Sequence, residues 1–190
     1  MILQDKVELY HASYVIVENI DLSLCADGKD FGKGFYVTTD YNQAYKFVKT
    51  AIKKAYKNGI KLENQNTGYI SKFKIAKDIT QLRVYEFSEA DREWLHCVAE
   101  HRKQNLFLNK KSKWNDFDII VGKIANDTTN QVLTAYINGL YGDVESDLAD
   151  ETAIRLLLPN KLSDQICFKT KKSFDFIQFV GAEKVLINEN

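Results

Sequence analysis

Apolar and polar positions along the chain alternate in two distinct rhythms. The set Tyr41, Ala44, Tyr45, Val48, Ala51, Ile52 and Ala55 recurs at three- and four-residue steps and predicts an amphipathic helix. Asp40 precedes it as an N-cap, with Gln43 in the capping-box position. Asn58-Gly59 supplies the stop. Shorter apolar runs predict strands at Val7 to His11, Phe35 to Thr38, Tyr69 to Ile75, Leu82 to Phe87, Phe117 to Val121, Gln165 to Thr170 and Val180 to Ile187. Ser88 is placed to cap a second helix over about 89–104, with Trp94, Leu95 and Val98 facing inward. Further helices are expected over about 129–138 and 148–158, the last stopped by Pro159, and a helical turn near 173–176. Strand pairs mixed with isolated helices predict an α+β fold rather than a repeating βαβ chain. No repeat, low-complexity tract or Pro/Gly/Ser linker divides the sequence, so residues 1–190 read as a single domain.

Composition narrows the class. At 45% hydrophobic and 12% aromatic, the 190 residues can bury a full core. Basic and acidic side chains balance at 26 each, which argues against binding to nucleic acid or an anionic membrane through net charge. The lysine-rich runs at 110–113 and 169–172 read as solvated loops. Three cysteines, Cys25, Cys97 and Cys167, form neither a CxxC pair nor an even framework, which suggests a reducing compartment and no zinc site. His96 and His101 lie five apart on one predicted helix, a poor spacing for a shared metal. Charges at Asp5, Lys6, Glu8 and Glu18 interrupt any signal-peptide core, and no run of 18 apolar residues suggests a membrane span.

Three segments carry candidate chemistry. Tyr10-His11-Ala12-Ser13 closes the first strand. Asp30-Phe31-Gly32-Lys33-Gly34-Phe35-Tyr36 places two glycines before a strand, where close backbone approach is permitted. It is neither a phosphate-binding loop of the G-x-x-x-x-G-K-[ST] type nor a dinucleotide fingerprint opening a helix. Asp164-Gln165-Ile166-Cys167-Phe168 opens a late strand.

Together these resemble the ADP-ribosyltransferase superfamily, in the branch of diphtheria toxin and the poly-ADP-ribose polymerases. That branch carries Tyr-His-Gly-Ser on its first strand and Phe-Gly-x-Gly-hydrophobic-Tyr before a helix. The chain looks closer still to an uncharacterised bacterial family of that superfamily. The further matching pieces are Trp94-Leu95 with Arg102 following, Asp118 to Gly122, and Gln165 to Phe168. The resemblance spans roughly residues 8–180. It implies two small antiparallel sheets forming a cleft, helices packed outside, and NAD lying across the cleft as substrate, with no metal.

Residue by residue, the resemblance implies that His11 bonds a ribose hydroxyl and that the Ala12 backbone holds the nicotinamide carboxamide. Ser13 would add a hydroxyl and Gly34 a close backbone approach. Tyr36 would stack on the nicotinamide ring, with Tyr45 or Phe47 closing the other face. Relatives place a glutamate where Gln165 stands, to stabilise the oxocarbenium-like transition state. An amide bonds the ribose 2′-hydroxyl without carrying charge, and losing one such stabiliser costs about a hundredfold or more in rate. Asp164 would point to the other side of the strand. Asp127 is a more distant carboxylate. The implied activity is mono-ADP-ribosyl transfer from NAD to an unknown macromolecular acceptor by a cytoplasmic bacterial toxin or defence protein, with an antitoxin as partner. The alternative is a non-catalytic NAD-binding or interaction module. A third possibility, an RNA 2′-phosphotransferase-like enzyme, needs more histidines and arginines than this chain places.

Overall fold

The computed structural model describes residues 3, 7–62, 64, 66–107, 112–124, 127–158 and 162–187. Its fold is α+β, with two separate sheets and five α-helices among the described residues. The first sheet is antiparallel, in the order β1 (Glu8–Ser13), β3 (Thr67–Ile75), β7 (Ile177–Leu186). The second runs β2 (Phe35–Val37), β6 (Asp164–Phe168), β5 (Ile119–Lys123), β4 (Val84–Glu86). This sheet is not wholly antiparallel, because β4 runs parallel to β5. A parallel pair needs a crossover, and here it is helix α2 (Arg92–Arg102) with the 3₁₀ turn at Lys113–Asp116.

Helix α1 (Tyr41–Lys57) follows its expected period, burying Ala44, Val48, Ala51, Ile52 and Ala55 against β1 and β3. Asp40 caps it by accepting from the Asn42 and Gln43 amides, and Gly59 leaves it at φ +74°. Gln43 does not complete a capping box. Its side chain meets the Thr38 hydroxyl and the Asp164 carbonyl, and the Asp40 amide donates to Thr38 instead. Helix α2 starts later than Ser88 predicts, because Asp91 accepts from the Trp94 amide. Ser88 and Asp91 are both capping residue types, and either start leaves Trp94, Leu95 and Val98 on the inward face, where they are fully buried.

Helices α3 (Asp127–Ile137) and α4 (Asp147–Leu157) pack on α2 and bury Leu133, Tyr136, Ala149 and Ala153. Helix α4 ends at Leu158 in the left-handed region, before Pro159, which lies outside the described residues. A short α5 (Lys171–Phe174), capped by Thr170, leads into β7. All three cysteines are free thiols. No helix among the described residues is long and apolar enough to cross a membrane.

The sheets approach each other where β1 meets the end of β2. Tyr10 and Thr38 exchange two backbone hydrogen bonds of 2.8 and 3.0 Å, a single bridge outside either sheet. Beyond it β1 continues with β3, and β2 with β6.

Candidate functional site

His11 is the next residue along β1 from that bridge, half-buried, with its ring 4.4 Å from the Phe35 ring. Its Nδ1 lies 2.7 Å from the Tyr36 carbonyl oxygen. A carbonyl only accepts, so Nδ1 carries the proton and Nε2 of the neutral ring is left as an acceptor. Burial holds the His11 pKa below its usual 6.5, against the opposing effect of the Tyr36 carbonyl. Neutral His11 therefore offers a ligand an acceptor, rather than both a donor and an acceptor. Nε2 has no protein partner among the described residues.

Tyr36 closes the glycine loop. Its hydroxyl donates to the Gly32 carbonyl at 2.7 Å and accepts from the Phe31 amide at 2.9 Å. Burial, then the neighbouring Cys167, pushes its phenol pKa well above 10, so the donor proton is retained. The two glycines serve different needs. Gly32 sits at φ +83°, and a Cβ there would fall 2.5 Å from His101 Cδ2. At Gly34 a Cβ would meet Cys167 Sγ at 2.5 Å and the Phe168 carbonyl oxygen at 2.7 Å. Gly34 thus lets the loop lie directly on β6.

Gln165 is buried on β6, in register with Gly122 on β5. Its Nε2 donates to Asp30 Oδ2 at 2.7 Å and to the Lys123 carbonyl at 3.3 Å. The other oxygen of Asp30 receives Arg102 Nε at 3.0 Å and Nη2 at 2.6 Å, and Arg102 Nη1 donates to Asn130. Arg102 is therefore neither a surface ion pair nor an open phosphate ligand. Its side chain is 17% exposed and pairs with a carboxylate that is 9% exposed.

Beneath the loop, His101 donates from Nδ1 to the Cys97 carbonyl at 2.8 Å and accepts from Lys169 Nζ at 3.3 Å. Burial, then the Lys169 charge, lowers its pKa to about 4. Burial also lowers that of Lys169, which donates to the Trp114 carbonyl as well.

The remaining expected residues divide. Ala12 and Ser13 follow His11 and are buried, with Ser13 Oγ accepting from the Val15 amide at 3.4 Å. Tyr45 and Phe47 are exposed on α1; Tyr45 lies against Tyr41, and Phe47 lies under Lys54. No ring contact joins either to His11 or Tyr36 among the described residues, so neither closes a second face there. Asp164 pairs with Lys123 Nζ at 3.0 Å. The side chain of Asp127 lies outside the described residues. Among those residues no group of three His, Cys, Asp or Glu side chains could hold a metal.

Sequence reasoning left the Asp30 carboxylate without a role. The signal was present, since an acid opening the glycine motif and an arginine closing the Trp-Leu helix are natural partners.

A separate concavity of about 680 Å³ opens along the first turns of α2, lined by His96, Glu93, Glu100, Phe107 and Trp114 among others. Behind it, fully buried Asp150 accepts from Tyr136, from His96 Nε2 at 2.8 Å and from Arg92 Nε at 3.2 Å.

Residues 7–179 match a family described as "Protein of unknown function (DUF3990)", and the chain belongs to that family. No curated protein matches the chain. No solved structure matches it either.

Proposed function

We propose that this member of a family without an assigned function binds NAD at the junction of its two sheets and transfers ADP-ribose to a macromolecular acceptor. The carrying observation is the His11–Tyr36 pair. One imidazole nitrogen is fixed on the Tyr36 peptide at 2.7 Å and the other is left to accept from a ligand hydroxyl. A ribose diol presents such hydroxyls. The ordered motifs, which resemble those of ADP-ribosyltransferases, supply the rest of the case, and the split pair of small sheets fits that architecture.

NAD supplies the ADP-ribosyl group. Its nicotinamide–ribose bond breaks as a bond to the acceptor forms, nicotinamide leaves with the bonding pair, and the acceptor's proton passes to solvent. The chain's own part is mostly positioning. His11 accepts from the ribose, the Ala12 backbone meets the carboxamide, and the Tyr36 ring offers a face for an offset aromatic contact worth on the order of 1 kcal/mol. Gln165 contributes no charge of its own. The setting proposed is the bacterial cytoplasm, with a toxin or defence role and an antitoxin protein as partner.

Gln165 also favours a second reading, since its amide is already engaged by Asp30 and Lys123. An amide where members of the superfamily that the chain resembles carry a carboxylate suits a non-catalytic NAD-binding module. Incubation with NAD labelled on its adenylate phosphate, in bacterial lysate, separates these. Label on protein or nucleic acid supports transfer, and free ADP-ribose alone indicates a glycohydrolase. Binding without product supports the module, and absence of binding refutes both.

A further inference from the structure

Gln165 is 6% exposed, and both oxygens that its Nε2 meets, Asp30 Oδ2 and the Lys123 carbonyl, can only accept. A carboxylate and a peptide carbonyl on one edge of an amide fix which edge bears the nitrogen. The opposite edge carries Oε1, which accepts from none of the described residues. Oε1 is not one of the fully buried atoms left without a partner, so it lies at the small exposed edge of the residue, where a donor from outside the protein can reach it. The two Arg102 nitrogens hold Asp30 through Oδ1, so Oδ2 is the oxygen turned to the amide. The glycine loop, α2 and β6 are thereby tied to one amide orientation.

We propose that Asp30 is a positioning residue. By drawing the Nε2 edge of Gln165 inward it presents Oε1 as the acceptor for a ligand hydroxyl, which on the reading above is the 2′-hydroxyl of the ribose next to nicotinamide. A buried ion pair with a merely structural role would be indifferent to which amide edge faces the ligand.

Substitution of Asp30 makes the distinction. In Asp30→Asn the charged Arg102 retains the remaining oxygen, so the new Nδ2 faces Gln165. Donor then faces donor, and because the 2.7 Å pairing at position 30 outweighs the longer 3.3 Å one to the Lys123 carbonyl, the Gln165 amide turns over and brings its nitrogen outward. In Asp30→Asn combined with Gln165→Glu the new amide donates to the new carboxylate, whose second oxygen restores an outward acceptor.

Two measurements read this. In the ligand-free protein, NMR hydrogen exchange of the Gln165 side-chain amide should show both protons protected in the wild type and exposed in Asp30→Asn. Unprotected protons in the wild type, or unchanged protection in the folded variant, overturn the proposal. By calorimetry, the wild type should bind NAD roughly tenfold more tightly than its 2′-deoxy analogue at the nicotinamide ribose, the worth of about one hydrogen bond. Asp30→Asn should abolish that preference and the double variant regain it. Loss of affinity for both ligands alike, with the preference intact, also overturns it. Should the wild type bind neither ligand, the NAD reading falls, and amide exchange alone decides the role of Asp30.

Discussion

Replacing Tyr36 with phenylalanine isolates the bond that closes the glycine loop. The ring stays, so packing against Cys167 and its neighbours changes little. What is lost is one oxygen that donates to the Gly32 carbonyl at 2.7 Å and accepts from the Phe31 amide at 2.9 Å. Each net hydrogen bond contributes about 0.5–1.5 kcal/mol, so the pair is worth about 1–3 kcal/mol. The backbone groups left behind are partly buried, which places the expectation near the middle, at about 2 kcal/mol. For a domain of this size that lowers Tm by roughly 4–8 °C. Urea denaturation of the two proteins gives the free-energy difference directly, with the slope expected to stay unchanged. A difference under about 0.5 kcal/mol would refute the argument, because water would then replace the phenol oxygen at no cost. The same pair of proteins tests the ring. Tyr36→Ala should lower NAD affinity by roughly fivefold or more beyond Tyr36→Phe, the worth of one aromatic contact. Equal affinities in the two variants would remove the stacking role.

Gly34→Ala should destabilise the fold by about 1–3 kcal/mol in urea, because the new methyl meets Cys167 Sγ and the Phe168 carbonyl at under 3 Å; a neutral result would show that β2 and β6 part easily. NAD affinity should be flat from pH 8 to 6.5 and fall only below that, because burial lowers the His11 pKa and protonation removes the Nε2 acceptor. A titration of Kd against pH checks this, and a decline beginning above pH 7 would contradict it. His101 titrates near 4 when folded and near 6.5 when unfolded, so the unfolded chain binds more protons between these values. Stability should therefore be fully present above pH 6.5 and fall by about 3 kcal/mol toward pH 4, a slope that His101→Gln flattens. Asp150→Ala leaves the Tyr136 hydroxyl and His96 Nε2 without their buried acceptor, while half-exposed Arg92 keeps Asp147, and should cost about 2–4 kcal/mol, read as a Tm drop.

Much of the fold was legible along the chain. The period of α1, its Asp40 cap and its Asn58-Gly59 stop are local signals, and each depends on residues a few positions apart. The same holds for the strand runs and for the buried Trp94, Leu95 and Phe168. The start of α2 was ambiguous because Ser88 and Asp91 are both capping residues. What separated them was which side chain reaches an amide of the first turn, and Asp91 accepts from the Trp94 amide. The parallel pairing of β4 with β5 was equally hidden, since alternation within a strand says nothing of its neighbour's direction.

At the candidate site the division is sharper. Residue order alone marked His11, the Gly32–Gly34 pair, Tyr36 and Gln165. It could not show that a proton on Nδ1 commits His11 to the Tyr36 peptide, nor that Gln165 reaches 135 residues back to Asp30. Hydrogen bonds act over about 3 Å and depend on angle, while sequence patterns report only turns and faces. Which donors and acceptors meet was decided by the path of the chain through two sheets and by close packing that holds distant side chains in register.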